Sequence, residues 1–237
     1  MKKVLVLPVF VGVLCAAACG GDSDPTSPGP TARVRFFNAT TGMTGSGGFT
    51  TNGQFATGSA LAFGQSTQTC ATVSAGSTSF GFGATTSGGT GLSGNALATL
   101  NSRSITAGGN YTVVATGSAT SPTLFLLDNT ISGSLGTNQA AVRFVNLAPG
   151  TANPFTVFTG VLGAGGTMIA TDIAVGSPTT FNTVTSGSNA FTILNGHDIV
   201  ISGSAATLNL SGGSVNTLAI VPNTSDGFQL INLPRCA

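Results

Sequence analysis

"ARVRFFNAT", residues 32–40, returns as "AAVRFVNLAPGT", residues 140–151, and this recurrence decides how the chain is read. In the first copy Val34 and Phe36 alternate with Arg33, Arg35 and Phe37, the period of two expected of a half-buried strand. Val142, Phe144 and Asn146 keep that parity in the second. Three more landmarks follow in the same order. "VSAGSTSFGFG" (73–83) pairs with "VTSGSNAFTIL" (184–194), and "SITAGGNYTVVATG" (104–117) with "NLSGGSVNTLAIVPN" (209–223). The apolar run "PTLFLLDN" (122–129) is answered by "GFQLINL" (227–233). The offset is roughly 104 to 111 residues throughout, so the chain carries one unit twice.

Each unit reads as strand throughout. The runs are short and bounded by turn signals such as Asn52-Gly53, Gly108-Gly109 and Gly212-Gly213. No stretch shows a helical period. About 100 residues of short strands with regular turns is the size of a sandwich of two antiparallel sheets. The expected organisation is a signal peptide over 1–18, a disordered tether over 19–31, a first β-sandwich over 32–132, a linker over 133–139 and a second β-sandwich over 140–237. Each copy carries a full set of landmarks, so each is expected to fold alone.

Composition narrows the partners. Only 5% of residues are charged, against about 25% in ordinary globular domains. There is no Glu, and both lysines lie in the first three residues. Past Cys19 the charges are Arg33, Arg35, Arg103, Arg143 and Arg235, with Asp22, Asp24, Asp128, Asp172, Asp198 and Asp226. Nucleic acid is not an expected partner, because phosphate neutralisation needs clustered Lys and Arg. Solubility falls to Ser, Thr, Asn and Gly, while 41% hydrophobic residues suffice for a packed core.

The repeated motifs resemble a known family, the domain of unknown function 4397 of bacterial envelope lipoproteins, often found in tandem. Its members open on an Ala-x-Val-Arg-x-x-Asn/His-x-x-Pro strand and close on an "AGxxYTVVxxG" strand. "AVRFVNLAPGT" and "TAGGNYTVVATG" match these. Copy one departs at "NATTGMTG", which lacks the counterpart of Pro149, and copy two has Asn216 or Thr217 in place of the closing Tyr. The resemblance covers nearly all of residues 32–233. It implies Ig-like or transthyretin-like sandwiches and an envelope location, and it brings no catalytic residues.

The N-terminus reads as an export signal. Lys2 and Lys3 precede an apolar run, Val4–Leu14, too short to span a bilayer. Ala16, Ala17 and Ala18 lead into Cys19, and small residues before a cysteine resemble a lipobox, in which that thiol receives lipid. Cys15 fits poorly after Leu14, and Ala16 stands where Leu is usual. The alternative is a secretory signal cut at Ala16–Ala18. "GGDSDPTSPGP" (20–30) is polar and rich in Gly and Pro, as a tether should be. Gly20 after Cys19, where an Asp is absent, resembles an outer-membrane sorting signal.

Two cysteines then remain, Cys70 and Cys236. An exported chain meets oxidising conditions and an even pair invites a bridge. The alternatives are a buried free Cys70 with a frayed Cys236, or a Cys236 bridged to another molecule.

Little else suggests chemistry. A hydrolytic triad needs a base, and the one His, His197, follows the turn signal Asn195-Gly196. A metal would have Asp198 beside it and only distant Asp172 and Asp226 to add. "GSGG" (45–48) and "GATTSGGTG" (83–91) lack the Lys of a phosphate loop. Tyr111 and the Phe residues read as core. No catalytic, cofactor or metal site is expected. Arg35 and Arg143 stand at matching places, read either as a shared ligand contact or as outward or rim residues paired locally and screening an edge strand. The expected function is a non-catalytic, lipid-anchored envelope protein used for adhesion, protein contact or surface architecture. Its partners would be the membrane, through the N-terminal lipid, and an envelope or extracellular protein or glycan. The alternative is a ligand-binding module for glycan or peptide at the cell surface.

Overall fold

Thr, Val and Phe at alternate positions favour strands, and Gly or Asn at positive φ turns the chain between them. Asn52 (φ 49°) and Gly53 (φ 80°) make such a hairpin. The computed structural model describes residues 29–150, 154–160, 165–195, 199–200, 206–223 and 227–236. The described part of the first copy contains β1 (Thr31–Thr41), β2 (Gly47–Thr51), β3 (Gln54–Phe55), β4 (Ala71–Ser74), β5 (Gly76–Ala84), β6 (Ala98–Ile105), β7 (Asn110–Ser118) and β8 (Ser121–Asp128). The second contains β9 (Gln139–Asn146), β10 (Phe155–Thr159), β11 (Thr167–Ile173), β12 (Asn182–Thr185), β13 (Gly187–Asn195), β14 (Ile199–Val200), β15 (Ala206–Leu210), β16 (Val215–Pro222) and β17 (Phe228–Pro234).

The fold is all-β, two β-sandwiches in tandem. In copy one, sheet β4-β1-β7-β8 packs on sheet β3-β2-β5-β6. In copy two, β12-β9-β16-β17 packs on β11-β10-β13, with β14 and β15 both on the far edge of β13. One pair in each copy departs from the antiparallel expectation. β1 runs parallel to β7, and β9 parallel to β16. A parallel neighbour needs a long crossover, and the chain supplies it by building the other sheet in between.

The recurring Asn of the opening strand locks that strand to the facing sheet. Asn38 Nδ2 donates to the Leu61 carbonyl (2.9 Å), and its Oδ1 accepts from Thr40 N (2.9 Å). Asn146 does the same with Ile173 (3.2 Å) and Ala148 (2.9 Å). Both asparagines are buried, so each satisfied group avoids a desolvation cost of about 1–3 kcal/mol.

Each sandwich has its own core. Copy one gathers Val34, Phe36, Phe49, Phe80, Phe82 and Val113, and copy two gathers Val142, Phe144, Phe155, Val157, Phe191 and Ile193. A third apolar layer lies between the sandwiches. Phe37, Val114 and Leu127 of copy one meet Val145, Leu147, Ala219, Val221 and Leu233 of copy two. The β1–β7–β8 face is therefore buried on both sides, as is that of β9–β16–β17.

The seam is reciprocal. Gly64 of copy one faces Ile231, and its counterpart Gly176 of copy two faces Phe125, the residue matching Ile231. Gly176 sits at φ 76° directly against the Phe125 ring, so any side chain there would collide with it. Reciprocal contacts of equivalent residues are the signature of an isologous, two-fold interface, here made within one chain. Thr116 Oγ1, high on β7, donates to the Leu147 carbonyl at the end of β9 (2.6 Å). Arg35, low on β1, donates to the Pro234 carbonyl of β17 (3.0 Å). The central strands of both copies therefore run the same way, and Thr31, Asn129, Gln139 and Cys236 share one pole.

At that pole Cys70 is disulfide-bonded to Cys236, with Cα atoms 6.0 Å apart. Asn110 holds the same tail by accepting from Cys236 N (3.0 Å) and donating to its carbonyl (3.2 Å). The bond joins residues 166 apart in sequence. The chain-entropy argument gives it at most about 5 kcal/mol.

Two outcomes are expected. The Cys70→Ser/Cys236→Ser protein should melt roughly 5–15 °C below the parent in a calorimetric scan. An unchanged midpoint would mean that the bond constrains nothing. Leu147→Asp buries a charge in the seam and should cost more than about 3 kcal/mol in urea denaturation. Exposed Ser104→Asp should stay within about 0.5 kcal/mol. A similar small loss for both would show that the seam is not packed.

Candidate functional site

The polar groups below the seam converge on Arg143. Its neighbours along β9 are apolar and its side chain points into the contact between copies, where only 6% of the residue stays exposed. Nε donates to Thr217 Oγ1 (3.0 Å) and Nη2 to Asn129 Oδ1 (2.8 Å). Thr217 Oγ1 donates in turn to Asn129 Oδ1 (3.1 Å), and Asn129 Nδ2 donates to Thr112 Oγ1 (2.9 Å). The guanidinium lies over the Phe181 ring, 4.6 Å from its centroid. Burial pulls its pKa down to about 10, while the nearby Asp128 carboxylate pushes the other way. Arg143 remains charged at neutral pH, in surroundings where an unsatisfied charge is costly.

Arg35 is its counterpart and is solved differently. It donates through Nε to Pro234 and through Nη1 to the Thr67 carbonyl (2.6 Å), and burial lowers its pKa. β1 and β9 are inner strands of their sheets, so neither arginine screens an edge. Of the structural reading, the edge-screening role fails, while the outward, locally paired arginine holds: the outer faces of the β1 and β9 sheets meet each other, and both guanidiniums bond there.

Beside Arg143 opens a cleft of about 450 Å³, lined among others by Asp128, Thr130, Leu135, Thr180, Phe181 and Thr183. Asp128 Oδ1 accepts from Thr130 N (2.9 Å) and Thr130 Oγ1 (2.6 Å), which fixes the carboxylate at the end of β8. The equivalent place in copy one is bridged by the disulfide. There the stretch before β4 carries Cys70 where copy two has Phe181, and the tail after β17 brings Cys236 where copy one has Thr130. One half of a two-fold arrangement is stapled by the disulfide, and the other half is open.

The remaining sequence candidates are distributed as follows. Cys19, His197, Asp198, Asp22, Asp24 and Asp226 lie outside the described residues. Tyr111 is buried, and its hydroxyl accepts from Thr106 N (3.0 Å). Asn216 takes the Tyr111 place in copy two and donates to Ser214 Oγ (2.8 Å). Asp172 is exposed on β11 at φ 54°. No cluster of three or more His, Cys, Asp or Glu exists among the described residues. The sequence reading missed Asn129, Thr217 and Phe181. Phe181 had one legible signal, an aromatic ring in "SPTTFNT" where copy one has Cys70.

No curated protein matches the chain. A family profile does: the one described as "Domain of unknown function (DUF4397)" matches residues 32–157, more than half of the chain. The match takes in all of copy one and runs through β9 into β10, so it includes both opening strands and both arginines. The chain belongs to the DUF4397 family.

Proposed function

We propose that the protein is a non-catalytic, lipid-anchored protein of the bacterial cell envelope, held by Cys19 at the outer membrane and used for adhesion, protein contact or surface architecture. The observation that carries the reading is the shared pole. Pro30 and Thr31 enter where Ala75 N and Gly108 N bond their carbonyls (2.8 and 2.7 Å). The start of β9 and Cys236 lie at the same end. A lipid-anchored tether leading into Pro30 would hold this pole towards the membrane. The turns after β1, β7 and β9 would then face outward, free for contact with another surface.

Two further features support it. A disulfide suits an exported protein, since reducing compartments do not sustain one. A sparsely charged, hydroxyl-rich exterior gives little electrostatic steering, which suits a protein held in place by its anchor.

In cells expressing the full chain, Cys19→Ser should move the protein from the membrane fraction to the soluble fraction. Metabolic labelling with a fatty acid should mark the parent and not the variant. A variant that sediments with membranes like the parent would contradict the anchor.

A further inference from the structure

The open cleft goes beyond an anchoring role and does not depend on it. We propose that it binds a small zwitterion of the α-amino acid type, its carboxylate on Arg143 and its ammonium on Asp128.

The argument begins with unspent donors. A guanidinium carries five N–H groups, and protein oxygens take two of those on Arg143. The others have no acceptor among the described residues, although the side chain is almost wholly buried and lines the cleft. With Phe181 covering one face of the guanidinium, its edge is left for a ligand, the geometry that takes a carboxylate bidentately. Asp128, exposed at the end of β8, keeps one carboxylate oxygen available to a ligand. Both of its hydrogen bonds go to Oδ1, and Oδ2 has none among the described residues. The two charges feel each other yet do not bond directly.

Charge then selects the ligand. A simple anion on Arg143 would be repelled by Asp128, and a simple cation on Asp128 would be repelled by Arg143. A molecule with both charges a few ångströms apart satisfies both. Ile131, Leu135 and Phe181 offer apolar contact to a side chain. The volume is within the range of small-ligand sites. In the other half the counterparts of Phe181 and Thr130 are Cys70 and Cys236, joined by the disulfide, so one such site per chain is expected.

The test is calorimetric titration of the full-length Cys19→Ser protein with leucine, alanine and serine. N-acetyl-leucine, which lacks the ammonium, and leucinamide, which lacks the carboxylate, are the comparison ligands. Saturable binding of at least one amino acid is expected, with each leucine analogue weaker than leucine by about tenfold or more. Asp128→Asn should weaken amino acids about tenfold and spare N-acetyl-leucine. Thr183→Phe, which fills the cleft from β12, should abolish binding with the melting midpoint retained. Arg143→Lys should weaken every carboxylate ligand, and its midpoint reports any damage to the seam separately. No heat of binding from any of the three amino acids at about 10 mM would overturn the proposal. So would equal binding of leucine and either analogue, or binding that survives Thr183→Phe.

Discussion

The apolar layer between the two inner sheets is the constraint on which the rest depends. β1, β7, β9 and β16 bury both faces, one towards their own sandwich and one, largely apolar, towards the other copy. A sheet face of Phe37, Val114 and Leu127 left in water would be a large exposed apolar patch, which soluble monomers rarely carry. Covering it with the same face of a second copy is the simplest self-complementary solution. Duplication within one chain provides that second copy at a fixed ratio and a high local concentration. The layer also explains the pole. Because the strands of both copies run in one direction, the entry of the chain at Pro30, the inter-copy connection and the C-terminal tail end up together.

The seam dictates the polar details as well. The arginine of the opening strand points outward from its sandwich and so arrives in the contact between copies. Arg35 meets backbone carbonyls near the staple. Arg143 meets Asn129 and Thr217 beside an open cleft. The same motif thus has two chemical outcomes, separated by the disulfide that closes one half. Departures from symmetry in an otherwise two-fold arrangement are the natural places to look for a site. Here the departure coincides with incompletely satisfied charged groups.

Much of the fold was legible. Period-two alternation over Val34–Phe37, turn pairs such as Asn52-Gly53 and four paired landmarks lead to two β-sandwiches. The burial of the outer faces was not drawn from the alternation, although a signal existed. Val113-Val114-Ala115 and Leu218–Val221 are continuous apolar runs, the mark of strands covered on both faces. The parallel pairing of β1 with β7 left no local trace, because direction is set by the crossover and not by either strand. Asn129 sits at the end of an apolar run and reads as a turn residue. Its role depends on the meeting of two copies, which residue spacing does not encode.

The central claim is that the seam makes two sandwiches one cooperative unit. It is tested most directly by scanning calorimetry of the Cys70→Ser/Cys236→Ser protein, in which no covalent staple couples the copies. The account predicts a single transition whose calorimetric and van't Hoff enthalpies agree, as for a two-state unit. Two resolved transitions, each with the enthalpy of a domain of about 100 residues, would contradict it.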